Sequence, residues 1–299
     1  MDLFIAIFQG IIIASTPLVL AAVGELVVEK SGVLNLGVEG MMIIGAVTSF
    51  IVTYETGSHF LGLIAAIISA GLVASLFGLL TQYLLSNQVA TGLALTLFGL
   101  GLASLIGQTY SGISLDTFPV FDVYLLTEIP IIGSLLFNFD YLIYLSIIIV
   151  VSVYYFLNKT KLGLVLTAIG DSHDSAHSLG YSVKMVRLFA IIFGGSCAGL
   201  GGAYLSLVQT PMWVENMTAG RGWIALAIVV FAVWRPLWIL VGAYIFGGIT
   251  IIQLHVQALG VNIGAQYMSM MPYLVTIMVL VFISVNKKEN IKWEEIKHI

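Results

Sequence analysis

The sequence predicts an all-α polytopic membrane protein, and three observations carry that reading. Of 299 residues, 60% are hydrophobic and only 9% are charged, whereas a soluble surface needs roughly a quarter of its residues charged. Apolar stretches close to the ~20 residues that cross a bilayer recur from end to end. The short alternating segments of a transmembrane β-barrel are absent. The first apolar run lacks a basic leader and runs into acidic sequence, so it reads as a retained span and not as a cleaved signal peptide. The one cysteine, Cys197, lies in an apolar helix, which excludes an intrachain disulfide and a thiolate metal cluster.

About nine spans follow in order. The first, 3–23, closes at Gly24 and Glu25; the second, 36–53, follows a glycine-rich break and stops before Tyr54-Glu55-Thr56-Gly57. Spans 61–85 and 88–108 are separated by Ser86 and Asn87, and 141–157 lies between Asp140 and Asn158. Span 186–208 ends before Gln209 and Pro211, 222–234 and 236–257 meet at Arg235, and 271–285 precedes a charged tail, 286–299. Nine spans place ten of the eleven Lys and Arg residues on one side, leaving only Arg221 opposite, so the expected topology is N-terminus out and C-terminus in. The whole of 1–299 is expected to form one membrane domain.

Two connections are long. The outer loop, 109–140, carries Asp116, Asp122 and Glu128 and is expected to cap the outer mouth or receive a partner. The cytoplasmic segment, 158–185, is the most polar part of the chain. Within it "DSHDSAHSL" predicts a short helix: Asp171 or Ser172 caps its first turn, Asp174 suits its positive end, and Gly180 stops it. A polar helix held between two spans is a mechanical handle. A metal site at His173 and His177, with Asp171 and Asp174 nearby, is the competing reading, and a solvated loop without a role is the plain one.

Spans 61–85, 88–108, 141–157, 188–214, 222–234 and 236–285 carry no Asp, Glu, Lys or Arg, and only His255 intrudes, near an end. Proton-coupled carriers place ionisable groups within the membrane, so that class is disfavoured. No phosphate-binding G-x-x-x-x-G-K-[ST] stretch exists, and no Gly-Lys pair at all, so the chain does not bind and hydrolyse ATP by itself. No Ser/His/Asp or paired-carboxylate constellation lies in the spans, which disfavours an intramembrane enzyme.

Two apolar runs open on a charge beside a glycine: "GVEGMMIIGA" at Glu39-Gly40 and "AGRGWIALA" at Arg221-Gly222. The second is too short to cross a bilayer, which takes ~20 residues. These read as broken helices related by an inverted repeat, one starting at the cytoplasmic side and the other at the outer side. Asn35, Glu39, Gly40, Arg221, Gly222 and Trp223 would then face a pathway or brace it. The alternative is that the glycines only let helices pack and the charges sit among headgroups. Gly195-x-x-x-Gly199 and Gly201-Gly202 read as a close packing face, and Trp213, Trp223, Trp234 and Trp238 as interfacial anchors.

The stretch "KLGLVLTAIGDSHDSAHSLGYSVKMVRL" resembles the coupling segment of ABC-importer permeases of the ribose and branched-chain amino-acid family, and "GGSCAGLGGAYLSL" resembles the small-residue helix after it. "GELVVEKSGVLNLGVEGMMIIGA" with "MTAGRGWIALAIVVFAVWRP" resembles the nucleoside-uptake branch. His173 departs from the usual Pro of the pattern, Ser175 from an Ala, and His177 from another polar or acidic residue. The resemblance implies a vitamin-importer-like (type II) permease fold in a bacterial plasma (inner) membrane. It implies an ATPase-coupling role for Gly170, Asp171, Ser172, His173, Asp174, Ser175, Ala176, His177 and Gly180. Implied partners are ABC ATPase subunits, which hold the ATP and Mg, a second related permease as a heterodimer, and an extracytoplasmic solute-binding protein or lipoprotein. The chain itself would bind no cofactor, catalyse nothing and contact no nucleic acid. The expected function is import of nucleosides or a similar small solute by alternating access. The alternatives are a simple sugar or flavin in the same class, or a secondary carrier or facilitator independent of ATP.

Overall fold

The computed structural model describes residues 2–122, 138–178 and 180–259, with isolated positions between 267 and 281. Most of the expected ninth span, 271–285, together with the tail and Glu128, lies outside the described residues. In order the helices are α1 (Asp2–Lys30), α2 (Val38–Thr56), α3 (His59–Gly78), α4 (Gln88–Gly107), α5 (Tyr141–Lys159), α6 (Lys161–Asp171), α7 (His173–Ser178), α8 (Val183–Tyr204), α9 (Arg221–Phe231) and α10 (Pro236–Ala258). Among the described residues seven helices are long and apolar enough to span a membrane, and α9 is a shorter apolar helix. Helices α3 and α8 each end in a turn of π-helix, Leu79–Tyr83 and Leu205–Gln209.

Local sequence explains the boundaries. Ser58, Asn87, Asp140 and Thr160 accept backbone N–H groups in the first turns of α3, α4, α5 and α6, the usual duty of these residue types at a helix start. Pro236 opens α10, where its missing N–H costs nothing. Gly57, at φ +68°, closes α2 in the left-handed conformation.

Helices α1 and α8 cross at the centre in opposite directions. Gly24 lies on Gly194 and Cys197, while Gly201, further along α8, lies on the carbonyl of Pro17. Each central helix also packs on the two helices that follow the other: α1 on α9 and α10, and α8 on α2 and α3. That exchange is the pattern an inverted repeat of α1–α2–α3 and α8–α9–α10 requires. The small residues of α8 make it possible. A Cβ at Gly199 would lie 2.5 Å from the Ala66 carbonyl, and one at Gly202 only 1.8 Å from that of Met42. Lipid tails are as apolar as leucine, so close van der Waals packing, and not exclusion from water, holds such helices together.

Four expectations need correction. Helix α1 runs on to Lys30, past the expected end of the span at residue 23, and so carries Glu25 and Glu29 inside it; the apolar partners Val27 and Val28 on the same turns keep it helical and buried. Segment 158–185 is no loop with one short helix but two helices, α6 and α7; of the two residues read as the cap, Asp171 ends α6 and Ser172 stands immediately before α7. The outer loop carries a two-stranded antiparallel pair, β1 (Val120–Asp122) with β2 (Asn138–Asp140). Trp213 is no interfacial anchor: it is 1% exposed and wedged on Gly107, because Ser111 and Ser114 pair with its segment and fold it inward.

The packing makes a direct prediction. Gly202→Val should lower the melting temperature of the purified protein and its monodispersity, by a loss of a few kcal/mol typical of overpacking, about 1–3. Gly101→Ala, where an added Cβ meets nothing within 4 Å, should leave melting equal or slightly higher.

Candidate functional site

The two broken segments meet each other. After α1, Gly32 at φ +82° turns the chain back, and the Asn35 amide donates to Glu25 Oε1 at 3.2 Å. Glu25 precedes the end of α1 by five residues, so the loop re-enters the bundle by about 7.5 Å at a rise of ~1.5 Å per residue. Asn35 Oδ1 accepts the Gly37 amide at 2.9 Å, a local turn that aims α2 inward. The Leu36 carbonyl accepts Thr96 Oγ1 from α4 at 3.0 Å, and the Leu34 amide donates to Gln88 Oε1 at 2.9 Å. Asn35 is fully buried, and Glu39, in the first turn of α2, is 2% exposed.

On the other side, α9 starts after Gly220 at φ +83° with no side-chain cap from its own sequence. Glu39 supplies it. Its Oε1 accepts Thr218 Oγ1 at 2.6 Å and the Gly220 amide at 2.8 Å, and its Oε2 accepts the Gly222 amide at 2.6 Å. The chain can come so near because Gly222 has no side chain: a Cβ there would lie 2.6 Å from the Glu39 backbone. Gly40 is pressed in the same way on Leu95 and Thr96 of α4. The starts of α2 and α9 therefore share one place in the bundle; they do not begin at opposite faces as the sequence reading had them, because each break folds its loop back inside.

Of the residues expected at a pathway, Asn35, Glu39, Gly40 and Gly222 are thus brought together in a sealed junction. Arg221 is partly exposed and directs its Nη1 to the Met217 carbonyl at 2.7 Å, forming no ion pair with Glu39. Trp223 is 48% exposed on the outside of α9. The sequence reading missed Thr218, although it stands in the quoted string beside Gly220, and it missed the depth of Glu25, whose Oε2 is buried without a hydrogen-bond partner.

The coupling residues form a second cluster that touches the first. Gly170 in the last turn of α6 lies against the end of α1: a Cβ there would sit 2.2 Å from the Lys30 carbonyl and 3.1 Å from the Gly32 amide nitrogen. Arg187 Nε, from the start of α8, donates to the Ser31 carbonyl at 2.9 Å. Ile169, Ala176 and Val183 bury one another and tie α6, α7 and α8 together. Asp171, Ser172, His177 and Gly180 are exposed, and Gly180 stops α7 at φ +83° with its amide on the His177 carbonyl at 2.9 Å. His173, Asp174 and Ser175 lie in α7, but their side chains are outside the described residues. Among the described residues no group of three or more His, Cys, Asp or Glu side chains gathers as a metal site.

Residues 7–283 match the family described as "Branched-chain amino acid transport system / permease component". The chain is 40% identical over 302 residues to the "Putative glucose ABC transporter permease protein TsgC13" of Haloferax volcanii, covering 93% of this chain and 91% of that one. It is 29% identical over 287 residues to the "Nucleoside ABC transporter permease protein NupC" of Lactococcus lactis, covering 92% and 90%. Identity to the "Guanosine ABC transporter permease protein NupQ" of Bacillus subtilis is 29% over 290 residues, again 92% and 90%. No solved structure matches the chain significantly.

Removing the carboxylate should be costly even though nothing in it is reactive. Glu39→Ala leaves three donors without their acceptor, and each buried orphan costs about 1–3 kcal/mol. Thr218→Val removes one donor and should cost about 1 kcal/mol or somewhat more. Thermal melts of the detergent-solubilised protein should rank Glu39→Ala well below Thr218→Val, and Thr218→Val below wild type.

Proposed function

This chain belongs to the family described as branched-chain amino acid transport system / permease component, and from that membership we propose how it moves its solute. It is a permease subunit of an ABC importer, multi-pass in the plasma membrane, with no ATPase activity of its own. An ATPase and a solute-binding protein are its partners. The heterodimer with a second permease, the outward N-terminus and the ATP and Mg on the partner belong to the same reading.

The observation that carries the mechanism is the contact of Gly170 with Lys30 and Gly32. When the ATPases close on ATP they would draw on α7, whose buried Ala176 is locked to α6 and α8. Movement of α6 then bears on the loop after α1 without slack, since Gly170 and the Lys30 carbonyl are already in contact. That loop holds Asn35 and leads into Glu39, which grips the first turn of α9. Displacement at the coupling helices would thus reach α2 and α9 together and change the opening between two permeases. Spatial continuity of this kind supports a route for coupling, and measured coupling is what tests it.

For the solute we favour a nucleoside, from the likeness over more than nine-tenths of the chain to proteins named for nucleoside and guanosine transport. The likeness at 40% to a protein named for glucose supports a sugar as the second reading. Both carry a ring with several hydroxyl groups. Calorimetry of the partner binding protein against nucleosides, bases, ribose, glucose and riboflavin separates them: nucleoside binding without glucose binding is expected, and the reverse would favour the sugar.

The mechanism predicts uncoupling. Gly170→Ala in the reconstituted complex should lower transport about tenfold, a coupling loss of about 1.4 kcal/mol, while the ATPase continues to turn over. Transport that survives ATP depletion would instead point to a carrier that needs no ATPase.

A further inference from the structure

The hairpin of α5 and α6 overhangs a crevice against the turn into α10. The crevice is a cavity of about 570 Å³ lined by Lys30, Tyr154, Asn158, Arg235 and Trp238 among others, with Leu157 and Leu237 as apolar wall. Three spanning helices end at this level: Lys30 is the last residue of α1, Asn158 is in the last turn of α5, and Arg235 immediately precedes α10. Among the described residues no ion pair reaches either Lys30 or Arg235. Glu29, next to Lys30 in α1, accepts Trp234 Nε1 at 2.5 Å. At the rim, Tyr154 is 40% and Trp238 52% exposed, the behaviour of amphipathic rings at the headgroup level of a bilayer.

We propose that this crevice is a binding site for an anionic phospholipid. Two unpaired cations suit a phosphodiester, and the Asn158 amide suits the ester or glycerol oxygens beside it. The wall of Leu157 and Leu237 takes the upper part of an acyl chain. A free phosphate would use the cations but gain nothing from the apolar wall and exposed rings, and this favours a lipid over a soluble anion. Seated there, the lipid fills the gap between the hairpin and α10. It stands beside Lys30, whose carbonyl Gly170 touches, so it stiffens the part of the protein that carries the coupling contact. The site requires only that the chain spans a membrane, and does not depend on the solute or on the direction of transport.

The test is native mass spectrometry of the purified permease complex taken from lipid nanodiscs of phosphatidylcholine alone or mixed with phosphatidylglycerol or phosphatidylserine. Wild type should retain anionic lipid several-fold over phosphatidylcholine and melt at higher temperature in the mixed discs. Lys30→Gln with Arg235→Gln should lose both effects while melting as wild type does in pure phosphatidylcholine. Equal retention of all three lipids by wild type overturns the proposal whether or not the double variant folds. So does undiminished retention by a folded double variant. Inorganic phosphate that reproduces the thermal shift in phosphatidylcholine discs makes this a soluble-anion site and also overturns it, as does displacement of the lipid when ATPase subunits are added.

Discussion

A carboxylate shut inside a membrane protein must be given its hydrogen bonds there, and Glu39 receives three from one short stretch of distant chain. The need is mutual. Helix α9 has 11 residues, too few to cross a bilayer, and it starts against α2 with amide groups that no local side chain caps. The first turns of α2 and α9 converge on the same point, each with a macrodipole end of about +0.5 charge. The Glu39 carboxylate between them accepts the donors at the start of α9 from within the first turn of α2. Helix starts that would repel each other and leave donors unsatisfied become a single joint.

Much of the surrounding structure serves that convergence. The loop after α1 has to fold back to bring α2 to the joint, and it does so through Gly32, through Asn35 on Glu25 and Gly37, and through contacts from Gln88 and Thr96 of α4. The glycines of α8 let α1, α2 and α3 close in on it. The same end of α1 that starts the re-entry is the one Gly170 and Arg187 touch. Structural support and the proposed route of motion are therefore the same few residues.

The class of protein, most span positions and the packing role of the Gly195–Gly202 stretch were legible because hydropathy and small-residue spacing are local properties. The two breaks were legible too, as charges beside glycines in apolar sequence. Their meeting was not, since Glu39 and Gly222 are 183 positions apart and hydropathy says nothing of how far a loop folds back. A similar limit hid Trp213, whose burial depends on Gly107 and on the bridges to Ser111 and Ser114. Helix α6 was hidden in the polar segment because its two glycines and threonine are weak helix signals, yet Thr160 caps it and Leu166 and Ile169 anchor it. The end of α1 was misplaced for the opposite reason: Glu25 and Glu29 look like an exit from the membrane, yet Glu25 is buried and holds the Asn35 amide, and Glu29 is held by Trp234.

The account rests on α2 and α9 moving as one unit, joined at Glu39. Hydrogen exchange at the Gly220 and Gly222 amides, followed in the intact transporter with its ATPases empty and then trapped with nucleotide, tests this directly. The account predicts that both amides stay as protected as the core of α8 in the two states, because the joint travels without opening. Fast exchange at these amides in either state would show that Glu39 lets α9 go, and would contradict it.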